Sequence, residues 1–232
     1  LIIKIFLIFA RHVLFDAYGV LWYQGESDDV AGQQHLYETM LEACIEDWRK
    51  VWKEKLPFLI VQLPGFGEWM SGQSIDYPKI REGQEMVVDK IDQTYLCSIS
   101  DAGEEKDIHP KNKKIVGERL ALLARGRIYH EKLLCEPPRY MFGEREGNTI
   151  KLSFANADTG LVVKGETINT LFIKSGEKEI PYTYKIDENK VIMEIDEFPV
   201  GEVSIAFAKT NWYCVNLYNK AGIPAIPFQT CL

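Results

Sequence analysis

The chain has 232 residues, 46% of them hydrophobic, which is enough for a substantial buried core. Its 34 acidic residues outnumber its 27 basic residues and give a formal net charge of -7 at pH 7. This balance argues against a general attraction to nucleic acid or to an anionic membrane, so we expect a neutral or small partner.

The cysteine pattern argues against metal and redox chemistry. The five cysteines are widely scattered, and no two have the close spacing of a zinc or redox motif. We therefore predict no metal site. Cys44 lies on the apolar face of a predicted helix and Cys97 lies within a predicted strand, and we expect both to be buried, unreactive thiols.

The first half of the chain alternates between short apolar runs and longer amphipathic stretches, a pattern typical of α/β folds. The apolar opening at residues 1–10 is too short to span a bilayer, and we expect a buried strand or helix there. Further elements are predicted in the order strand 20–23, helix 36–55, strand 58–63, helix 78–91, strand 95–99 and a helix from after Pro110 to about residue 131. Strands separated by helices predict parallel pairing.

Tandem prolines mark a boundary, because Glu136-Pro137-Pro138 cannot continue a helix. Short β-rich runs separated by turn residues follow, at residues 149–154, 161–163, 170–173, 191–195 and 203–206. They predict a small antiparallel sandwich. The sequence therefore predicts an α/β domain over residues 1–135 and a β-sandwich-like domain over residues 136–232.

Two polar clusters follow predicted strands of the α/β part. Gln24-Gly25-Glu26-Ser27-Asp28 comes directly after the strand at 20–23, and Asp107-Ile108-His109-Pro110 lies in the loop after the strand at 95–99. Ligands of open parallel sheets bind at the carboxyl ends of the strands. We therefore expect the two clusters to share one cleft.

His109 has the features of a general base. Pro110 suits the first turn of a helix, which predicts that His109 is held at the entry to the helix that follows. A neutral histidine oriented by a carboxylate is the usual base for a hydroxyl nucleophile, and Asp107 is the nearest candidate, with Asp101 as an alternative. The alternative is a purely structural role, in which His109 caps a helix and has no catalytic task.

Gln24 and Gly25 offer hydrogen-bond donors at a strand end. A side-chain amide beside an unshielded backbone N–H can hold a developing oxyanion. Glu26 adds a carboxylate to the same side. The alternative is that these three residues have only a structural role, as a polar turn that closes the strand. We interpret Ser27 as a helix-capping hydroxyl.

These clusters belong to a collinear series of motifs that runs from Gly19 to near the C-terminus. The blocks are Gly19 to Asp28, Asp47-Trp48-Arg49, Pro57-Phe58, Val61-Gln62-Leu63-Pro64, Arg81-Glu82-Gly83-Gln84, Asp107 to Lys113, Asn216-Leu217-Tyr218-Asn219 and Pro224 to Thr230. The series resembles the sialate O-acetylesterases, carbohydrate esterases of the SGNH hydrolase superfamily. The resemblance implies a three-layer α/β hydrolase domain with a parallel sheet, here incomplete, and an accessory β-domain.

The resemblance also implies an activity and residue roles. It implies hydrolysis of acetyl esters of sugars, especially O-acetylated sialic acid, without a cofactor. His109 would be the catalytic base, Asp107 its possible orienting carboxylate, and Gln24 with Gly25 part of the oxyanion side. Many superfamily relatives place the acid three residues before the histidine, where this chain has Lys106, so the choice of acid stays open.

The nucleophile of the family is not evident in this chain. In the family, the serine belongs to a Gly-Gln-Ser-Asn-like block well before the position of Gly19, and the sequence ahead of Gly19 has no such block. Gly72-Gln73-Ser74 imitates it at the wrong position, and we interpret this as an accidental match in a surface loop. We therefore expect an N-terminal segment or a subunit to supply the serine.

Two hypotheses follow. The first is a carbohydrate O-acetylesterase that acts by Ser/His catalysis once the upstream serine is present. The alternative is a non-catalytic carbohydrate-binding or remnant protein of the same fold. A generic lipase or thioesterase is disfavoured, because the motifs match sugar-directed relatives.

Overall fold

The computed structural model describes residues 17–69, 72–73 and 75–232. The element predicted at residues 1–10 and Ser74 of the serine-block imitation lie outside the described residues. Within those ranges, no helix is long and apolar enough to cross a membrane.

A three-stranded parallel sheet organises the first half of the chain. The elements run in the order β1 (Val20–Trp22), α1 (Tyr37–Trp52), β2 (Phe58–Gln62), β3 (Glu68–Trp69), β4 (Gly72–Gln73), α2 (Tyr77–Lys90), β5 (Thr94–Ser98) and α3 (Lys113–Arg127). β1, β2 and β5 lie side by side in that order, and both pairings are parallel. The predicted parallel sheet is confirmed. β3 and β4 form a separate antiparallel pair.

The sheet is covered on both faces. Phe58 and Ile60 of β2 share a core with buried residues of α1 and α2, whereas Leu59 and Val61 share a second core with buried residues of α3. This alternation follows from the two-residue period of a strand, and a strand buried on both sides is apolar along its length. The result is the three-layer arrangement that the resemblance implied.

α1 packs through the stripe that its apolar spacing predicts. Leu41 and Ile45 are buried, and Trp48 packs edge-on against Trp22 of β1 at a centroid distance of 5.8 Å. The helix ends at Trp52, and the next residue, Lys53, has a left-handed backbone with φ 55°, a frequent conformation after a helix C-terminus. This aromatic contact fixes α1 against the first strand.

The prediction that Pro110 occupies the first turn of the following helix is wrong. α3 begins at Lys113, and its N-cap is Asn112, whose side-chain oxygen accepts a hydrogen bond from the Ile115 amide at 3.4 Å. An asparagine can satisfy an amide of the first turn, which is why it takes the cap position. His109 therefore lies in the preceding loop.

The second half of the chain is an antiparallel β-structure. Its strands are β6 (Arg139–Glu146), β7 (Thr149–Ala155), β8 (Leu161–Val163), β9 (Leu171–Ser175), β10 (Lys178–Glu179), β11 (Thr183–Asp187), β12 (Lys190–Glu194), β13 (Ser204–Phe207), β14 (Leu217–Asn219) and β15 (Phe228–Cys231). Two four-stranded sheets, β10-β9-β13-β15 and β11-β12-β7-β6, contribute to one core, and β14 pairs with β8. The predicted C-terminal antiparallel β-structure is confirmed. The division of the chain at residues 135 and 136 stays a prediction.

Three loops meet at the carboxyl edge of the parallel sheet through glycines. A Cβ on Gly103, after β5, would lie 2.2 Å from the carbonyl oxygen of Gly65, after β2. A Cβ on Gly65 would lie 2.7 Å from both the backbone nitrogen and the oxygen of Tyr213, in the loop before β14. The Gly67 amide donates to the Glu105 carbonyl at 3.1 Å. The loops therefore pack backbone against backbone.

We expect Gly103→Ala to lower the free energy of unfolding by about 1–3 kcal/mol, because the added methyl group overpacks a contact between two backbones. Urea unfolding at constant m value measures this change. Gly117→Ala is the matched control: Gly117 is exposed in α3 with nothing within 4 Å of its added Cβ. It should gain about 0.5–1 kcal/mol. Equal stability of Gly103→Ala and the wild type would contradict the close approach of these loops.

Candidate active site

Both predicted clusters lie at one edge of the sheet. β1 and β5 flank β2 and run parallel to it, so the segments that follow them emerge at the same end. Adjacent strands are about 4.8 Å apart, which separates the two strand ends by roughly 10 Å. Lys113, at the start of α3, places its Nζ 5.0 Å from the centroid of the Tyr23 ring, at the end of β1. This contact joins the end of the His109 loop to the Gln24 segment.

Gln24 is fixed mainly through its backbone. Its carbonyl accepts hydrogen bonds from the Tyr37 hydroxyl at 2.9 Å and from Nε2 of Gln84 at 3.1 Å. Its side-chain amide donates to the Asp28 carboxylate. Since a carboxamide has two N–H groups, one of them is not taken by Asp28 and can serve a ligand.

Gly25 needs its missing side chain. Its backbone has φ 142°, a conformation that L residues rarely adopt, and an added Cβ would lie 3.0 Å from Ile80 and 3.1 Å from Leu63. Gly25 is the N-cap of a 3-10 turn at Glu26–Asp28, and no side chain caps that turn. The interpretation of Ser27 as a capping hydroxyl is therefore wrong, because Ser27 lies inside the turn.

Gln84 holds the ends of β1 and β2 together, a role that the sequence reasoning missed. It is fully buried on α2; its Oε1 accepts from the Leu63 amide at 2.9 Å, and its Nε2 donates to the carbonyls of Gln24 and Val61 at 3.1 and 3.3 Å. Its position on the apolar face of a helix was the available signal, since a buried polar side chain needs partners.

Glu26 lies beside neutral tyrosines. Burial raises the pKa of Tyr23 and of Tyr77, and the nearby Glu26 carboxylate raises both further. Among the described residues, neither hydroxyl has a hydrogen-bond partner, and both are buried. The two hydroxyls therefore stay protonated and keep a donor on the Glu26 side of the edge.

Asp29 connects the Gln24 segment to the start of α2, which was also not predicted. Its carboxylate accepts hydrogen bonds from the amides of Ile75 and Asp76 at 2.6 and 2.8 Å, and from Nε2 of Gln34 at 2.9 Å. A carboxylate at a helix N-terminus is favoured by the amides that point out of it. The segment after β1 is thus fastened at both ends.

His109 lies on the exposed part of its loop. Its backbone amide donates to Oδ1 of Asp107 at 2.9 Å, and its Nδ1 is 3.7 Å from the same oxygen, longer than a hydrogen bond. Asp101 instead forms a two-point ion pair with Arg119 at 2.5 and 2.8 Å. Of the two candidate acids, Asp107 is thus the one beside the imidazole. Catalytic hydrogen bonds often shorten only when substrate binds.

The His109 loop is closed at its base by Glu104, a further residue that sequence reasoning missed. Oε1 of Glu104 accepts from the Lys111 amide at 3.0 Å, and Oε2 pairs with Lys111 Nζ at 3.1 Å. The hydrogen bond from the Lys111 amide, and then the Lys111 ammonium, lower the pKa of Glu104. Lys111 Nζ also lies 3.9 Å from Asp107, so one cation serves both carboxylates.

This closure should respond to pH and to substitution. Because the folded-state pKa of Glu104 is lowered, the contact is present above the ordinary glutamate pKa of about 4.3 and is lost as the pH falls through the lower, folded-state value. We expect the Lys111 amide to be protected from hydrogen exchange at neutral pH and to lose protection in acid.

Glu104→Ala should remove that protection at neutral pH, whereas Glu104→Gln should keep part of it, because the amide oxygen can still accept. Glu118→Ala, which removes an exposed partner of Lys114 at 3.7 Å, is the control. Full protection of the Lys111 amide in Glu104→Ala would show that another group closes the loop.

The edge as a whole is suited to acyl-transfer chemistry. It combines an exposed imidazole next to a carboxylate with an amide donor after a neighbouring part of the same sheet, and groups of these types can serve as a general base and as an oxyanion donor. Among the described residues, no group of three or more His, Cys, Asp or Glu side chains is placed to hold a metal ion.

A parallel sheet covered on both faces, with polar loops at its carboxyl edge and a sandwich behind it, defines an SGNH-type α/β hydrolase fold. The family of carbohydrate esterases described as sialic acid-specific acetylesterases matches residues 8–124, half of the chain. The chain belongs to this family. The matched region includes Gln24, Gly25, Glu26, Asp107 and His109.

Individual relatives agree with the family assignment. The sialate O-acetylesterases of Homo sapiens and Mus musculus are 33% and 34% identical over 135 residues, which is 50% of this chain but 25% and 24% of those proteins. The crystal structure of a carbohydrate acetylesterase from Xanthomonas citri has a TM-score of 0.79 and 31% identity, covering 93% of this chain and 51% of that chain. The chain therefore spans about half the length of the solved relative.

Proposed function

We propose that this chain forms the base and oxyanion sides of a carbohydrate O-acetylesterase that hydrolyses acetyl esters of sugars such as O-acetylated sialic acid. The main support is that the His109 and Gln24 segments follow parallel strands at one edge of the sheet. Both segments also fall inside the region matched by the family.

The proposed reaction proceeds in two halves. A serine hydroxyl attacks the acetyl carbonyl carbon while His109 accepts its proton, and the N–H groups of Gln24 and Gly25 hold the oxyanion. The bond from the carbonyl carbon to the sugar oxygen breaks, and that oxygen takes the proton from His109. Water then attacks the acetyl-serine with His109 again as the base, acetate leaves and the serine regains its proton.

Asp107 and Glu26 have supporting roles in this proposal. Asp107 orients the imidazole and stabilises its protonated form, for which its oxygen 3.7 Å from Nδ1 is well placed. Glu26 lies on the substrate side, where a carboxylate beside protonated tyrosines can accept hydrogen bonds from sugar hydroxyls. No cofactor takes part.

The nucleophile is proposed to come from an N-terminal segment or a subunit. The coverage of only half of the solved acetylesterase is consistent with this arrangement. Residues 1–135 would then form the catalytic side of the enzyme, and residues 136–232 its accessory domain.

The experiment uses the complete enzyme, with the N-terminal portion and its serine block present, and measures acetate release from O-acetylated sialic acid. We expect His109→Ala to lower kcat by about 10³-fold or more with an unchanged circular dichroism spectrum, because the serine loses its base. His130→Asn is the matched control: it removes another exposed histidine, at a left-handed position that asparagine tolerates. Unchanged turnover in His109→Ala would exclude the role of base.

The same assay separates the other hypotheses. A complete protein that binds the acetylated sugar but releases no acetate would be a carbohydrate-binding protein of this fold. Faster hydrolysis of long-chain esters than of sugar acetyl esters would point to a lipase-like enzyme instead.

A further inference from the structure

A polar cleft of about 310 Å³ lies between α2 and the β-sandwich, and none of the candidate catalytic residues lines it. Glu82 and Glu85 of α2 form one side of the cleft. Arg139 of β6 and Lys209, just after β13, contribute its basic groups. The cleft thus combines side chains from both halves of the chain.

The charged groups of the cleft are held in ion pairs. Arg139 donates from Nε to Glu85 at 3.1 Å, and its second guanidinium nitrogen lies 2.9 Å from the same carboxylate. Lys209 pairs with Glu82, which also accepts from Lys79 at 2.7 Å. The side chains of Glu82, Glu85, Arg139 and Lys209 are between 16% and 34% exposed, so they are ordered by burial yet reachable.

The lining has no excess of either charge, which disfavours a strongly ionic ligand. The carboxylates of Glu82 and Glu85 oppose an anion, and the cations of Arg139 and Lys209 oppose a second cation. Burial raises the pKa of Glu85 despite the nearby Arg139, so this carboxylate gains from an additional hydrogen-bond donor.

The guanidinium of Arg139 is engaged by Glu85 and Asp89, whereas Lys209 and the carboxylates keep hydrogen-bonding capacity. An ammonium has three N–H groups and a carboxylate accepts about four hydrogen bonds. The pairing with Glu82 engages one of those three groups of Lys209. Alternating donors and acceptors of this kind complement hydroxyl groups, each of which donates and accepts.

Apolar residues also line the cleft. The rings of Tyr140 and Phe228 stack at a centroid distance of 4.6 Å, and the Tyr140 hydroxyl is held by Thr230 at 3.0 Å. Pro227 lies next to them in the lining. A lining that combines apolar carbon atoms with charged hydrogen-bonding groups fits a ring that has C–H groups as well as hydroxyls.

We propose that this cleft binds a neutral pyranose ring, as a carbohydrate site separate from the His109 edge. Its volume is at the lower end of ligand pockets, which suits one sugar ring. The inference depends on the chemistry of the lining and does not require ester hydrolysis.

The test titrates this chain with methyl α-glucopyranoside and follows backbone amide shifts by NMR. We expect shifts at Phe228 and Gln229 with a Kd on the order of millimolar, as for other small ligands with few contacts. The methyl glycoside of glucuronic acid has the same ring but a carboxylate in place of the hydroxymethyl group, and it should bind several-fold more weakly. The proposal would be overturned by the absence of shifts at these residues at glycoside concentrations up to about 100 times the expected millimolar Kd. Tighter binding of the glucuronide than of the glucoside would also overturn it.

Matched variants assign the binding to the cleft. Lys209→Met removes the ammonium donors, and Glu85→Gln replaces one acceptor oxygen and the negative charge with an NH2 group, while both changes nearly keep side-chain size; each should weaken binding about tenfold. Lys151→Met, which breaks the exposed pair with Glu146 at 2.7 Å outside the cleft, should have no effect. Thermal unfolding of each variant reports whether it is folded, and Glu85→Gln remains a test if Lys209→Met does not fold.

The catalytic proposal and the cleft proposal can fail independently. His109→Ala should leave binding of the glycoside in the cleft unchanged, even though it removes esterase activity from the complete enzyme. Glycoside-induced shifts that move to the loop at residues 104–112 and vanish in His109→Ala would refute the cleft site.

Discussion

The buried carboxamide of Gln84 is the constraint on which the candidate site depends. Its hydrogen bonds join α2 to the backbone at the ends of β1 and β2, where Gln24, Val61 and Leu63 lie. A buried polar group that loses its partner costs about 1–3 kcal/mol, so a shift of β1 against β2 would break several such contacts at once. The backbone of Gln24 is therefore fixed independently of what its side chain binds.

The loop that carries His109 is held firmly at its two ends, whereas the His109 side chain is exposed. The ends of the loop are held because Gly103 and Gly65 bring two loop backbones into contact, and because Glu104 closes the loop onto Lys111. The imidazole of His109, in contrast, extends from the loop, and 66% of the side chain is exposed. An exposed imidazole carried by packed backbone would suit the proposed role of His109 as a base, because such a side chain is both reachable and held in position.

The sequence was sufficient for features that depend on periodicity and insufficient for those that depend on distant partners. The buried stripe of α1 follows from apolar spacing, and the parallel pairing of the strands follows from their alternation with helices. β6 was missed because its sequence is largely charged and its residues mostly exposed, so that its pairing with β7 supplies the structure. The contacts of Gln84 join residues that are distant in sequence, whereas Glu104 closes a loop onto Lys111, seven residues away. α3 begins after the cap residue Asn112 and not at Pro110, because the Asn112 side chain accepts from an amide of the first turn.

Arg81 joins the second half of the chain to α2 and to the loop after β2. Its guanidinium, on α2, is 1% exposed; it donates to the carbonyls of Pro64, at 3.3 Å, and of Thr210, and lies 4.8 Å above the ring of Tyr213. Burial lowers the pKa of Arg81, because a cation removed from water loses its solvation. The loop between β13 and β14 replaces part of that solvation with a carbonyl and an aromatic face. A charge on α2 is thus compensated by the C-terminal half, which is consistent with a similarity to the solved acetylesterase that extends over 93% of the chain.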